Sequence, residues 1–324
     1  MNKAFLILDR NKRFLLFIEE IILKKYPDSK VYLSDSINNA LAILKFNEIN
    51  AIICEDQLED VLRFSQFSTF KKLSPGIQII ATTSYHTPEF KSGAICNGAV
   101  ESVIKPIPVG IFNRLLDYTF EVIDLLSKKS LLLQDILMLT NEGQVFSMST
   151  AKSLISSLEN RFPLLKAQTT FSWGVLRSFT ELFNLPMNDK IILELALAFF
   201  GITFDYKLII TTPDSADSRN HKTGTLITPN ILKNSLIIIQ DSFNWQKDES
   251  TYEASDSSLH LLSDILAVII AFISLTRNNG FSKPLNEEEA LFILRKFSGT
   301  RFDPTIIAAL GALNQPITDG MVKD

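Results

Sequence analysis

Short apolar runs alternate with helical patterns over roughly the first 120 residues. Ala4–Leu8 is an unbroken apolar run and predicts a buried strand. Phe14–Lys25 carries apolar residues at 14, 15, 17, 18, 21, 22 and 23, one face of a helix. Lys30–Leu33 predicts a second strand, and Ser36–Phe46 a helix with Ser36 or Asp35 as N-cap. Ala51–Cys54, Ile77–Ala81 and Ser102–Ile104 predict three more strands. Strands separated by helices imply βαβ units, hence an α/β doubly wound, five-stranded parallel sheet. From Ile111 to Leu139 the apolar residues keep helical spacing, interrupted at Lys128-Lys129, and Asn141-Glu142-Gly143 fits a C-cap. Beyond Ala151 the pattern is helical, clearest at Trp173–Phe183, Lys190–Ile202, Leu259–Leu275 and Glu287–Phe297. Thr211–Thr225 and Asn244–Ser258 are polar enough for loops. The expected organisation is a first domain over 1–123, a linker helix over 124–150 and an all-α domain over 151–324.

Composition narrows the chemistry. Thirty-two basic residues against 36 acidic ones give a formal charge of −4, which offers no nucleic-acid surface. Cys54 and Cys96 are the only cysteines and fit a reducing, cytoplasmic compartment. The run before Asp9 is too short for a signal-peptide core. The longest apolar stretch, Ile265–Leu275, is short of the ~20 residues of a membrane span and predicts a buried helix. Glycine is scarce, and neither common nucleotide-cradling glycine motif occurs. Only three histidines are present, His86, His221 and His260, which argues against a histidine-rich metal cluster.

In a doubly wound sheet the functional crevice lies at the carboxyl ends of the strands. Asp9-Arg10, Glu55-Asp56, Thr82-Thr83 and Lys105-Pro106 stand there. This set, with the stretch NGAVESVIKPI from Asn97 to Ile107, resembles the receiver domain of two-component response regulators over roughly Lys3 to Val122. The resemblance implies a phosphorelay input, a lysine role for Lys105, a hydroxyl role for Thr83 and a cis bond before Pro106. The family's phosphoacceptor aspartate falls on Glu55, with Leu58 three residues on, and Asp56 is one residue out of register. Its second acid after the first strand is replaced by Arg10, and its fifth-strand aromatic by Ser102. Exchanging a carboxylate for a guanidinium removes a ligand from a Mg²⁺ site and adds a positive charge. The expectation is a permanent ion-pair cluster of Glu55 with Lys105 and Arg10; the alternative is that Arg10 points to solvent and Asp56 is phosphorylated.

Asp264 to Leu310 resembles the end of an HD-GYP domain, the family that hydrolyses cyclic di-GMP at a cluster of metals. The resemblance rests on Ile265–Val268, Leu275-Thr276, Lys283–Leu285, Glu288–Leu291 and Gly299–Pro304, with no gap. Where that family needs metal ligands, this chain has Phe171, Phe200-Gly201 and Ile270. The expected centre is therefore degenerate and filled with hydrocarbon, with no cofactor and no metal. His221 and His260 have no HD pair beside them and read as surface or packing residues. The function expected is a non-catalytic signalling protein, a pseudoenzyme working through protein partners, with a homodimer through the linker helix possible. The alternatives are a divergent cyclic di-GMP phosphodiesterase with a relocated metal site, or a cyclic di-GMP sensor using Arg277, Arg295 and Arg301.

Overall fold

The computed structural model describes residues 3–56, 58, 64–84, 88–143, 146–162, 166–200, 226–243, 257–276 and 284–313. The chain divides into two compact units, parting between Asp124 and Leu125.

The first unit contains β1 (Ala4–Leu8), α1 (Lys12–Lys25), β2 (Lys30–Ser34), α2 (Ile37–Phe46), β3 (Ala51–Glu55), α3 (Ser65–Leu73), β4 (Gln78–Thr83), α4 (Pro88–Cys96), β5 (Glu101–Ile104) and the start of α5 (Val109–Asn141). All five strands pair in parallel, in the order β2-β1-β3-β4-β5, the flavodoxin-like order. Side chains alternate between faces along a strand. Phe5, Ile7, Ala51, Ile53 and Ile80 share one face and form a core with Leu15, Ile18, Ile21 and Ile22 of α1 and Phe112, Leu115, Leu116 and Ile123 of α5. The alternate residues Leu6, Leu8, Ile52, Cys54, Ile79 and Ala81 are buried too. Burial on both faces explains why these strands read as continuous apolar runs.

Local signals set the helix starts. The Asn11 side chain accepts from the Arg13 and Phe14 N–H groups, so α1 begins two residues before the apolar pattern does. Ser36, not Asp35, caps α2. Helix α3 follows Phe64, whose backbone is left-handed at φ 69° and which makes no side-chain cap; the sequence carries no start signal there.

The second unit contains the rest of α5, β6 (Phe146–Ser147), α6 (Met148–Glu159), α7 (Lys166–Leu182), α8 (Met187–Ala198), β7 (Leu226–Ile227), α9 (Pro229–Asp241), α10 (Ser257–Thr276), α11 (Glu287–Lys296) and α12 (Pro304–Leu313). Strands β6 and β7 pair in antiparallel fashion. Helix α5 is one element from Val109 to Asn141, so the last helix of the first unit runs on without a break through the start of the stretch read as linker, and the chain turns at Gly143, φ +78°. Lys129, on the linker stretch, is buried; it donates to Glu159 (2.6 Å) and to the Ala198 carbonyl (2.8 Å). Leu131 and Met138, seven residues apart on α5, stay exposed.

Helix α10 packs against α7, α8, α9, α11 and α12. It is longer than its apolar run, and Ser258–Thr276 is long and apolar enough to cross a membrane. With 61% of that window buried inside the protein, it has the burial of a core helix. Asn286 and Glu289 form a reciprocal capping box at the start of α11.

Candidate functional site

The parallel register brings four side chains to one face at the carboxyl edge of the sheet. Glu55 ends β3 and pairs level with Thr82 of β4, which pairs with Val103 of β5. Two residues beyond Val103, Lys105 returns to the same face, and Asp9 follows Leu8 onto it. The Lys105 ammonium donates to Glu55 Oε1 at 2.9 Å and to Asp9 Oδ2 in a closer contact. It also lies 4.3 Å from the centre of the Phe14 ring. The Lys105 N–H donates to the Thr83 carbonyl, and the peptide between Lys105 and Pro106 is cis.

This cluster is closed electrostatically. Asp9 is buried and its second oxygen, Oδ1, accepts the Asn11 N–H at 2.8 Å, so the same carboxylate fixes the entry to α1. One cation faces two carboxylates and an aromatic ring, an arrangement that offsets the desolvation of each partner. The Asp9–Lys105 bond was not anticipated; the return of Asp9 to the Glu55 face by strand alternation was the signal available.

Arg10 does not join the cluster. It is exposed and forms no ion pair with Glu55, because the alternation that turns Asp9 inward turns its neighbour away. Asp56 is buried and extends β3 by one hydrogen bond, its N–H donating to the Thr82 carbonyl. Thr83 is also buried, and its register partner is Ile104 rather than Glu55. The hydroxyl level with Glu55 belongs to Thr82, whose Oγ1 is buried without a hydrogen-bond partner among the described residues.

The donor set does not fit a divalent cation. Such an ion needs several free hard oxygens. Both oxygens of Asp9 and one of Glu55 already accept hydrogen bonds, and an ammonium stands between the two carboxylates. Among the described residues no group of three or more His, Cys, Asp or Glu is placed to hold a metal ion. Cys54, directly before Glu55, is buried; burial raises its thiol pKa far above the usual range, Gln66 pulls it back in part, and the Asp56, Glu55 and Asp9 charges add to the rise.

In the second unit the expected vacated positions are partly in view. Phe200 packs its ring 5.1 Å from that of Phe243, centre to centre, so an aromatic pair stands where a metal-binding pair was sought. Ile270 is half-buried and is not part of the fully buried core, against the expectation that it fills a cavity. It lies on α10, which packs against five helices. Phe171 lies in α7, and Gly201 falls outside the described residues. His86, His221 and Arg277 fall outside them as well. His260 stands in the first turn of α10 and acts electrostatically on Asp241 at the end of α9. Burial raises the Asp241 carboxyl; His260 opposes that rise and Asp264 adds to it. Of the candidate arginines, Arg301 donates to the Ser242 carbonyl at 3.0 Å and lies against the Phe302 ring, and Arg295 is exposed.

No family model and no curated protein matches the chain. Solved structures do. One is a CheY-like response-regulator receiver domain from Methanospirillum hungatei JF-1, at 20% identity, covering 38% of this chain and 97% of that one, with a TM-score of 0.35. Another is the receiver domain of an HD domain-containing protein from Pseudomonas fluorescens Pf-5, at 17% identity, 38% and 98% coverage and a TM-score of 0.36. A third is a two-component response regulator from Clostridium difficile, at 17% identity, 37% and 96% coverage and a TM-score of 0.35. At such identities the likeness is one of fold. By strand order and layering, the first unit has the flavodoxin-like fold that CheY-like receiver domains share.

Proposed function

We propose that the chain is a non-catalytic signalling protein of the response-regulator kind, a receiver-like unit joined to a degenerate HD-GYP-like helical unit. It works by protein–protein contact in a phosphorelay setting, in the cytoplasm, without phosphoryl chemistry of its own. The observation that carries this reading is the double ion pair of Lys105 with Asp9 and Glu55. The lysine that a phosphoryl group would need is already engaged, and the carboxylates that a cation would need are engaged with it. Glu55 in the acceptor register and Arg10 beside Asp9 point the same way. The Phe200–Phe243 pair supports an output unit that has lost hydrolysis.

Titration with beryllofluoride and Mg²⁺, followed by backbone NMR, tests the first unit. No saturable shift at Glu55, Thr83 or Lys105 is expected. Tight binding that disappears in Asp56→Asn would establish Asp56 as a phosphoacceptor and overturn the reading. Elemental analysis for Fe, Mn and Zn, with a cyclic di-GMP hydrolysis assay, tests the second unit. Stoichiometric metal with turnover would make it a phosphodiesterase. Calorimetric binding of cyclic di-GMP without cleavage would make it a sensor.

A further inference from the structure

One stripe of the first unit is apolar and uncovered. Helix α1 turns Leu15, Ile18, Ile21 and Ile22 to the sheet. Its opposite side presents Leu16, 59% exposed, with Phe17 and Leu23 also exposed. Single exposed apolar residues need no explanation, but three within two turns form a patch. Arg13 and Glu20, both exposed, lie on the same stripe. They are seven residues apart, ~10 Å along the axis, and share one side of the helix.

Their placement is symmetric. Arg13 precedes Leu16 by three residues, and Glu20 follows Phe17 by three. An antiparallel second α1, with its two-fold axis passing between Leu16 and Phe17, sets each Arg13 opposite the partner's Glu20. The same rotation brings Leu16 beside the partner's Leu16 on one flank of the contact and Phe17 beside the partner's Phe17 on the other, since the two lie about 100° apart around the helix. One operation thus satisfies both charges twice and covers the apolar centre, as an isologous interface requires. The base of this helix is fixed as well, through the Asn11 N–H held by Asp9. We propose that the outer face of α1 is a self-association surface and that its occupant is α1 of a second copy of this chain. The inference goes beyond the locked pocket, and its test does not involve phosphate analogues, so either can fail without the other.

Sedimentation velocity of the full chain over micromolar concentrations is the test. The parent protein is expected to self-associate. Arg13→Glu and Glu20→Arg, each alone, set like charges opposite each other twice and should weaken association at least tenfold. Mixing the two single variants in equal amounts makes both cross-pairs opposite in sign, so association should return to the parent level. The Arg13→Glu/Glu20→Arg double variant should also associate like the parent. Leu16→Gln should weaken association without altering charge, and Leu131→Asp, on α5, should leave it unchanged. A parent that stays monomeric at the highest concentration overturns the proposal. So does association indifferent to the charge variants, a mixture that fails to recover, or a loss caused by Leu131→Asp.

Discussion

The ammonium of Lys105 reaches across β4 to bond Glu55, two strands away in the sheet. Adjacent strands lie ~4.8 Å apart, so the side chain lies across the carboxyl edge of β4 rather than pointing to solvent. On that strand Thr82 sits level with Glu55, and its buried hydroxyl finds no partner among the described residues. The lysine thus holds together strand ends that a purely apolar edge would leave free.

Removing this lysine should therefore cost more than a surface ion pair would. The side chains of Lys105, Asp9 and Glu55 are 12%, 1% and 17% exposed. Lys105→Met leaves two carboxylates uncompensated and should destabilise the first unit by about 3 kcal/mol. The Lys105→Met/Glu55→Gln double variant should recover part of that loss. Urea denaturation followed by a probe in the first unit measures both; equal stability of parent and single variant would count against a closed cluster.

Lys71 of α3 gives the first unit a pH dependence in the alkaline range. It is buried, donates to the Ile77 carbonyl at 2.6 Å, and burial lowers its pKa from 10.5 to about 7. Between about 7 and 10.5 the unfolded chain holds a proton that the folded chain does not. Stability should therefore rise with pH across that window, by at most about 1.4 kcal/mol per unit. Urea midpoints of the parent should climb relative to those of Lys71→Met between neutral and alkaline pH. A constant difference would show that Lys71 keeps its charge.

Asp241 has the opposite dependence. Its carboxyl is raised by burial and ends helix α9, where a negative charge also meets the negative end of the helix dipole. Ionisation then disfavours the fold, so stability falls as pH rises through the raised value. Asp241→Asn should raise the melting temperature at neutral pH, and the gain should fade towards acid. Melts from weakly acidic to neutral pH would reveal an unchanging gain if the carboxyl were not responsible.

The capping box of α11 yields a smaller effect. Asn286 Oδ1 accepts the Glu289 N–H at 2.8 Å, and Glu289 Oε2 accepts the Asn286 N–H at 2.9 Å. Asn286→Ala should destabilise the second unit by about 1 kcal/mol. Asn286→Asp, which keeps the acceptor, should retain most of the stability in thermal melts.

Much of the first unit was legible because each buried strand reads as an unbroken apolar run. The runs ended too early, however, since Glu55, Thr82 and Thr83 are polar yet lie inside strands. Strand alternation is what turns Glu55, Lys105 and Asp9 to one face, so the pairing of Glu55 with Lys105 could be expected. The same alternation settles Arg10, which charge complementarity alone leaves open between the cluster and solvent: it faces solvent. Helix α4 carries a weak pattern, and α3, though amphipathic, starts from a left-handed Phe64 that no propensity rule anticipates. The boundary of the helical unit was blurred because α5 keeps one periodicity through both cores. Its buried Lys129 looks like a surface charge until Glu159 and the Ala198 carbonyl are seen around it.

Cys54 gives the carboxyl edge of the sheet its own clock. Its sulfur is fully buried one residue from Glu55, and burial keeps it in the unreactive thiol form. A small alkylating reagent can reach it only when β3 separates from its neighbours. In a Cys96→Ser background, the rate of Cys54 alkylation reports how often that edge opens, and loosening the Lys105 bonds should make the clock run faster.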